Sequence, residues 1–254
     1  MKLSLSNGIF SKISLEKNFA AVKKLGFENI EFNMKTVRKE NDTSVFGAKK
    51  LLDASGLKCL TLHSATLHVK NEVEVHRAIY YGKVSLEFAR RLSAPIMTVH
   101  SNISKKLLQP ARDKCLVLIF NELNEYAKTL NIKLALENLS YTSTGFGKNV
   151  DQLEEVLKII DNGDMGITFD FCHALETKQT ANLLEKYGKR ICNVHMSNKS
   201  HKPFTQENHE LTWFLTQLYE YDYDGPITLE LEHKTPMEEI VKTKTVIEKI
   251  LREF

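Results

Sequence analysis

Six residues able to ligate a metal or carry a proton end six consecutive apolar runs of this 254-residue chain. The runs are Leu60-Thr-Leu-His63, Ile96-Met-Thr-Val-His100, Leu134-Ala-Leu-Glu137, Gly166-Ile-Thr-Phe-Asp170, Ile191-Cys-Asn-Val-His195 and Ile227-Thr-Leu-Glu230. His173 follows Asp170 by three residues, and His201 lies in the segment after His195. A carboxylate set behind apolar strand residues costs several kcal/mol unless a cation or a partner compensates it. An Arg would serve, but the last four runs have none except Arg190 at one edge. Taken alone, His63, His100 or His195 reads as an ordinary hydrogen-bonded loop residue. Six ligand-capable residues on one expected face point instead to a metal site holding a divalent cation. A set rich in carboxylate oxygen suits Mn²⁺, Mg²⁺, Co²⁺ or Zn²⁺. Glu31 reads as a supporting residue at the second strand. Glu232 reads as either a site member or half of a salt bridge.

The elements that would position these residues alternate along the chain. Strands are expected at 2–6, 29–32, 57–62, 95–99, 133–136, 165–169, 191–194 and 227–229, with a helix after each. Ser14 caps the first helix, whose apolar face is Leu15, Phe19, Val22 and Leu25 and which Gly26 ends. Further helices are expected at 45–55, 72–92 and 111–130. Asn149 and Gln152 form a capping box for a helix that Asn162-Gly163 closes, and Thr235-Pro236 with Glu238 opens the last one. Trp213, Phe214, Leu215 and Leu218 read as a helix packing face. The strands look too apolar to alternate, as in a parallel sheet buried on both faces. Eight such units and no Gly-rich first turn predict a single (β/α)8 TIM barrel in one domain, 1–254, over an open doubly wound sheet. In a barrel the C-terminal strand ends meet at one mouth, which would gather the six residues.

Bulk properties agree. The chain is 42% apolar with a formal net charge of +3, too mild to favour nucleic acid, and Lys105, Lys106, Lys199 and Lys202 read as solvated loop charges. No membrane span and no signal peptide is expected. The four cysteines are widely spaced, three of them expected inside apolar strand runs, as reduced thiols of a cytoplasmic protein would be. A homo-oligomer is compatible with all of this.

The segments Leu-Glu137-Asn, Asp170-x-Cys-His173-Ala, Val-His195-x-Ser and Leu-Glu230 resemble the xylose-isomerase-like barrels. That superfamily holds sugar isomerases and epimerases together with endonuclease IV, and the resemblance runs through nearly the whole chain. Similarity to the ketose 3-epimerase and hydroxypyruvate isomerase type implies one cation held by Glu137, Asp170, His195 and Glu230. Glu137 and Glu230 would then be the catalytic acid and base. In that case His63, His100, His173 and His201 would meet substrate hydroxyls or a second metal. The implied substrate is a small sugar or sugar phosphate, epimerised or isomerised through an enediolate. The alternative is an endonuclease IV-like, zinc-dependent enzyme cleaving DNA at abasic sites, with DNA a partner only in that case. Such enzymes carry an Asp-x-His pair after strand seven, where this chain has Ser197-Asn-Lys-Ser-His201-Lys-Pro-Phe.

Overall fold

The computed structural model describes residues 1–37, 44–160 and 163–254. Its strands are β1 (Lys2–Ser6), β2 (Asn29–Asn33), β3 (Lys58–His63), β4 (Ile96–Val99), β5 (Lys133–Glu137), β6 (Gly166–Asp170), β7 (Ile191–Met196) and β8 (Pro226–Leu229). All neighbours are parallel and follow chain order, and β8 pairs with β1 to close a (β/α)8 barrel. The helices are α1 (Leu15–Lys24), α2 (Val45–Ser55), α3 (Val75–Leu92), α4 (Gln109–Thr129), α5 (Val150–Ile160), α6 (Phe171–Thr177), α7 (Thr180–Tyr187), α8 (His209–Glu220) and α9 (Met237–Leu251). Among the described residues no helix is long and apolar enough to cross a membrane.

Local signals explain most boundaries. Ser14 and Ser44 accept from Lys17 N and Gly47 N at the starts of α1 and α2. Gly26, at φ +76°, follows α1 in the left-handed conformation that glycine adopts without strain. The stretch expected at 72–92 divides into a 3-10 turn, Glu72–Glu74, and α3.

Several expectations are corrected. At α5, Asn149 Oδ1 accepts from Gln152 N at 2.8 Å, but Gln152 Oε1 turns away to Gly147 N and Lys148 N, so the box is half formed. At α9 no side chain caps the helix, and Thr235 Oγ1 is buried without a partner. Pro236 occupies the cap position, which leaves Thr235 one residue too early and Glu238 one position short of the box. Asn162 lies outside the described residues. Of the cysteines, Cys59 and Cys192 are in strands, whereas Cys115 is in α4 and Cys172 in α6; all four are free thiols.

The strands do alternate. Outward residues such as Leu5, Phe32, Leu62, Val99, Leu136, Phe169, Val194 and Leu229 are at most 1% exposed under the helices. Phe169 and Phe171 pack on Phe214 of α8 with ring centroids 4.9 and 4.5 Å away. Burial of each such side chain contributes roughly 1.5–3 kcal/mol. Inward positions hold Glu31, Thr61, Thr98, Thr168, Asn193 and Thr228, all fully buried. They bond across the barrel: Thr98 to Thr168 at 2.8 Å, Asn193 Nδ2 to Thr98 at 3.2 Å, and Thr61 Oγ1 to Glu31 at 3.0 Å. Threonine is a good strand former, so these positions merge with their apolar neighbours in sequence.

Register shifts occur between Ile30 and Glu31 on β2 against β3, and between Ile167 and Thr168 on β6 against β7. Each leaves one residue, Leu60 or Cys192, without an opposite number. The shift restores the inward phase for Thr61 and His63, and for Asn193 and His195. Without it these side chains would change face, because the side-chain period of a strand is two.

Candidate metal centre

Above the threonine layer, the strand ends deliver a cluster of carboxylates and imidazoles. Glu137 and Asp170 are the last residues of β5 and β6, His195 is the fifth of β7, and Glu230 directly follows β8. Glu137, Asp170 and His195 are at most 1% exposed, and the Glu230 side chain 15%. His195 Nδ1 stands 3.2 Å from Glu137 Oε1, 3.2 Å from Glu230 Oε2 and 3.9 Å from Asp170 Oδ2. One ligand atom from each of the four lies within 4.8 Å of the others. The four residues expected to share a cation therefore converge at one mouth of the barrel.

Backbone contacts hold the set in place. Asn138 Nδ2 donates to the Asp170 carbonyl at 2.9 Å, and Asp170 N donates to Asn138 Oδ1 at 2.8 Å, clamping the ends of β5 and β6 together. Asp170 Oδ1 caps α6 by accepting from His173 N at 2.7 Å. Asp170 Oδ2 is buried with no hydrogen-bond partner. His173 Nδ1 at 3.4 Å and His195 Nδ1 at 3.9 Å are near this oxygen without hydrogen-bonding to it, and a buried carboxylate so placed among other carboxylates is costly without compensating positive charge, so the donor set fits a divalent ion.

Glu31 lies behind this layer. His195 Nε2 donates to Glu31 Oε2 at 2.9 Å, which leaves Nδ1 as the ring atom presented to the site. A carboxylate behind a ligating imidazole fixes its tautomer and raises its basicity. Glu31 thus takes a supporting position, while Glu232 pairs with Lys202 at the rim.

The histidines extend the cluster in two directions. Glu137 Oε2 accepts from His100 Nε2 at 2.7 Å and faces His63 Nε2 at 3.5 Å, so Glu137 serves both the four-residue set and a trio with His63 and His100. Asp170, His173 and His201 form another trio. His173 Nδ1 donates to the Asn138 carbonyl at 2.8 Å. His201 is presented from a turn in which Ser200 and His201 both have left-handed backbones, φ 58° and 53°. That conformation is uncommon for residues other than glycine, and it holds here with His201 Nδ1 donating to the Glu230 carbonyl at 3.1 Å.

Charge balance explains the ionisation. Burial disfavours charge on Glu137 and Glu230, yet the adjacent imidazoles, His195 for both and His100 for Glu137, hold both well below the usual carboxylate range. Burial, with Glu137 nearby, raises Asp170. Burial opposes protonation of His63 and His195, but the surrounding carboxylates outweigh it, lifting His63 to about 9 and His195 well above its usual value. Protonated imidazoles are the positive charge that a cation would replace. A cavity of about 350 Å³, lined in part by Asn33, His63, Ser64, His100 and Glu230, opens on the cluster.

The family described as xylose isomerase-like TIM barrel matches residues 19–250. Protein MJ1311 of Methanocaldococcus jannaschii is 28% identical over 178 residues, a match spanning 66% of this chain but only 60% of that relative. The inosose isomerase of Halalkalibacterium halodurans is 24% identical across 95% of this chain and 93% of its own. Among solved structures, a D-tagatose 3-epimerase-like protein superposes with a TM-score of 0.81 at 24% identity, covering 100% of this chain and 98% of that one. The IOLI protein with a bound zinc atom gives 0.77 at 19% identity, covering 100% and 99%. An AP endonuclease of family 2 from Brucella melitensis gives 0.79 at 14% identity, covering 99% and 98%. These structures share the fold, and the family match spans nearly the whole length. The chain belongs to the xylose isomerase-like TIM barrel family.

Proposed function

We propose that this protein is a divalent-cation-dependent isomerase or epimerase of a small sugar or sugar phosphate, acting as one catalytic domain over residues 1–254 in the cytoplasm. The observation that carries the reading is the pair Glu137 and Glu230, each 3.2 Å from His195 Nδ1 and both held ionised. Two carboxylates flanking one position suit removal of a proton from one face of a carbon and its return on another. A cation bound by Glu137, Asp170, His195 and Glu230 would polarise the substrate carbonyl and offset the negative charge that develops beside it. Glu230, which lines the cavity, takes the carbon-bound proton. The returned proton comes from His100 Nε2 by way of Glu137, whose Oε2 lies 2.7 Å from it. His63 and His100 line the same cavity and can orient hydroxyls.

A second reading, phosphodiester hydrolysis, is favoured by the sharing of Glu137 and Asp170 between histidine trios, which suits more than one cation. The missing Asp-x-His pair and the mild charge favour the sugar reading. The deciding experiment is deuterium uptake from D₂O at the carbon beside the carbonyl, across ketoses, ketose phosphates and small hydroxy-carbonyl compounds, with Mn²⁺, Mg²⁺, Co²⁺ or Zn²⁺ supplied. Exchange is expected, reduced roughly 10²–10⁴-fold in Glu230→Gln. Silence across that panel, with cleavage of abasic DNA, would overturn the sugar reading.

A further inference from the structure

We infer that Lys35 binds a terminal anionic group, phosphate or carboxylate, of the substrate, so that the site selects charged sugars over neutral ones. This deepens the sugar reading above and rests on it. Lys35 lies in the 3-10 turn Met34–Thr36 directly after β2. Its side chain lines the 350 Å³ cavity together with His63, Ser64, Thr66, His100 and Glu230. It also lines an adjoining cavity of about 190 Å³, with Gly8, His201, Glu230 and His233. Glu230 and Lys35 are common to both spaces, so Lys35 stands where they meet beside the expected acid–base residue. Among the described residues no other Lys or Arg lines either cavity.

An exposed lysine is ordinarily a solvated surface charge. Three observations argue otherwise here. First, the turn that carries Lys35 is pinned. Asn33 Oδ1 accepts from Lys35 N at 3.0 Å, Thr36 Oγ1 donates to the Asn33 carbonyl at 2.7 Å, and Asn33 N donates to buried Asn7 Oδ1 at 2.8 Å. Second, the side chain lies across Gly8. A Cβ built there would collide with Lys35 Cε and sit 2.9 Å from Nζ, so with any larger residue at this position the far end of the lysine would have to move aside. Gly8 shows no left-handed φ that would call for glycine on backbone grounds. Third, the Lys35 ammonium has no carboxylate partner among the described residues, although Lys202 nearby is paired with Glu232.

Charge sets the consequence. Glu31, Glu137, Asp170 and Glu230 make the mouth repel anions, and a single divalent cation offsets only part of that. A fixed ammonium at the meeting of the two cavities supplies the missing attraction. Ser64 and Thr66 line the same cavity, and hydroxyl groups are suited to complete the shell of an oxygen-rich anion. Charge-assisted hydrogen bonds of this kind are about twice as strong as neutral ones, enough for about a tenfold preference.

The test compares wild type, Lys35→Met and Gly8→Ala, all magnesium-loaded. kcat/KM for carbon-bound proton exchange is measured on ketose phosphates, sugar acids and neutral ketoses, and inorganic phosphate binding is titrated calorimetrically. Wild type is expected to prefer an anionic class by at least about tenfold. Both variants are expected to lose most of that ratio through KM, and to bind phosphate about tenfold more weakly. Whether phosphates or sugar acids show the preference identifies the anion. Gly8→Ala keeps the positive charge and displaces it, so the same loss there ties the effect to position. An unchanged anionic-to-neutral ratio in Lys35→Met, or a wild-type preference for neutral ketoses, overturns the role of Lys35 and leaves the isomerase reading standing. Lys35-dependent phosphate binding with no exchange on any compound removes the isomerase reading and keeps the anion site.

Discussion

His195 Nε2 donates to Glu31 Oε2 at 2.9 Å, between two residues that are completely buried and lie 164 positions apart in the chain. The bond joins β2 to β7 through the barrel interior and sets which imidazole nitrogen faces the carboxylates. Thr61 Oγ1, at 3.0 Å, and Asn193 Nδ2, at 3.4 Å, also donate to Glu31 Oε2, so one buried oxygen gathers three strands.

Glu31→Gln keeps the size of the side chain but removes its charge, and the His195 ring becomes a poorer ligand. Affinity for Mn²⁺ or Zn²⁺ should fall about 10–100-fold, with far-UV circular dichroism unchanged. Chelator competition on the purified variant measures this. Wild-type affinity would show that Glu31 does not tune the site.

Asn138→Ala removes both bonds of the clamp between β5 and β6. The Asp170 N–H and carbonyl lose their side-chain partner in a buried region, costing about 2–4 kcal/mol of stability in urea unfolding. The same variant should bind metal more weakly, since Asp170 is released from its fixed position. A loss below about 0.5 kcal/mol would mean that neighbouring groups or water replace the clamp.

His63 gives a pH signature in metal-stripped protein. Its folded value, about 9, lies above the ordinary 6.5, because Glu137 outweighs the burial penalty. A raised histidine stabilises fully below the unfolded value and loses that contribution as pH rises through the folded one. Melting temperature should therefore drop between pH 6.5 and 9 in stripped protein, and drop less in His63→Asn. Equal slopes for the two proteins would exclude a charged His63–Glu137 pair.

Duplex DNA containing an abasic site should not be incised efficiently, even with zinc or manganese present. DNA binding would require phosphate-facing cations in number, and the net charge is only +3. An incision assay on wild type and His195→Ala checks this. Robust cleavage that the variant abolishes would favour the nuclease reading.

The sequence by itself determined the barrel and six strand-end residues able to ligate a metal, from which the family resemblance singled out Glu137, Asp170, His195 and Glu230. Eight strand–helix alternations leave few topologies, and Glu137, Asp170, His195 and Glu230 lie at or within one residue of the C-terminal ends of their strands, which parallel closure turns into proximity. Local caps such as Ser14 were legible because they depend on a few adjacent residues. The strand bulges that turn His63 and His195 inward are a matter of pairing between strands, and nothing in either strand alone reveals them. Glu31 was legible as a supporting residue, but what it supports was not, because its partners His195, Thr61 and Asn193 are on two other strands. Lys35 gave no signal at all, being one lysine among many until Gly8 and Glu230 were placed beside it. The division is physical. Periodicity and strand-end chemistry are written along the chain, whereas the choice between a solvated side chain and a positioned one is made by contacts across the barrel.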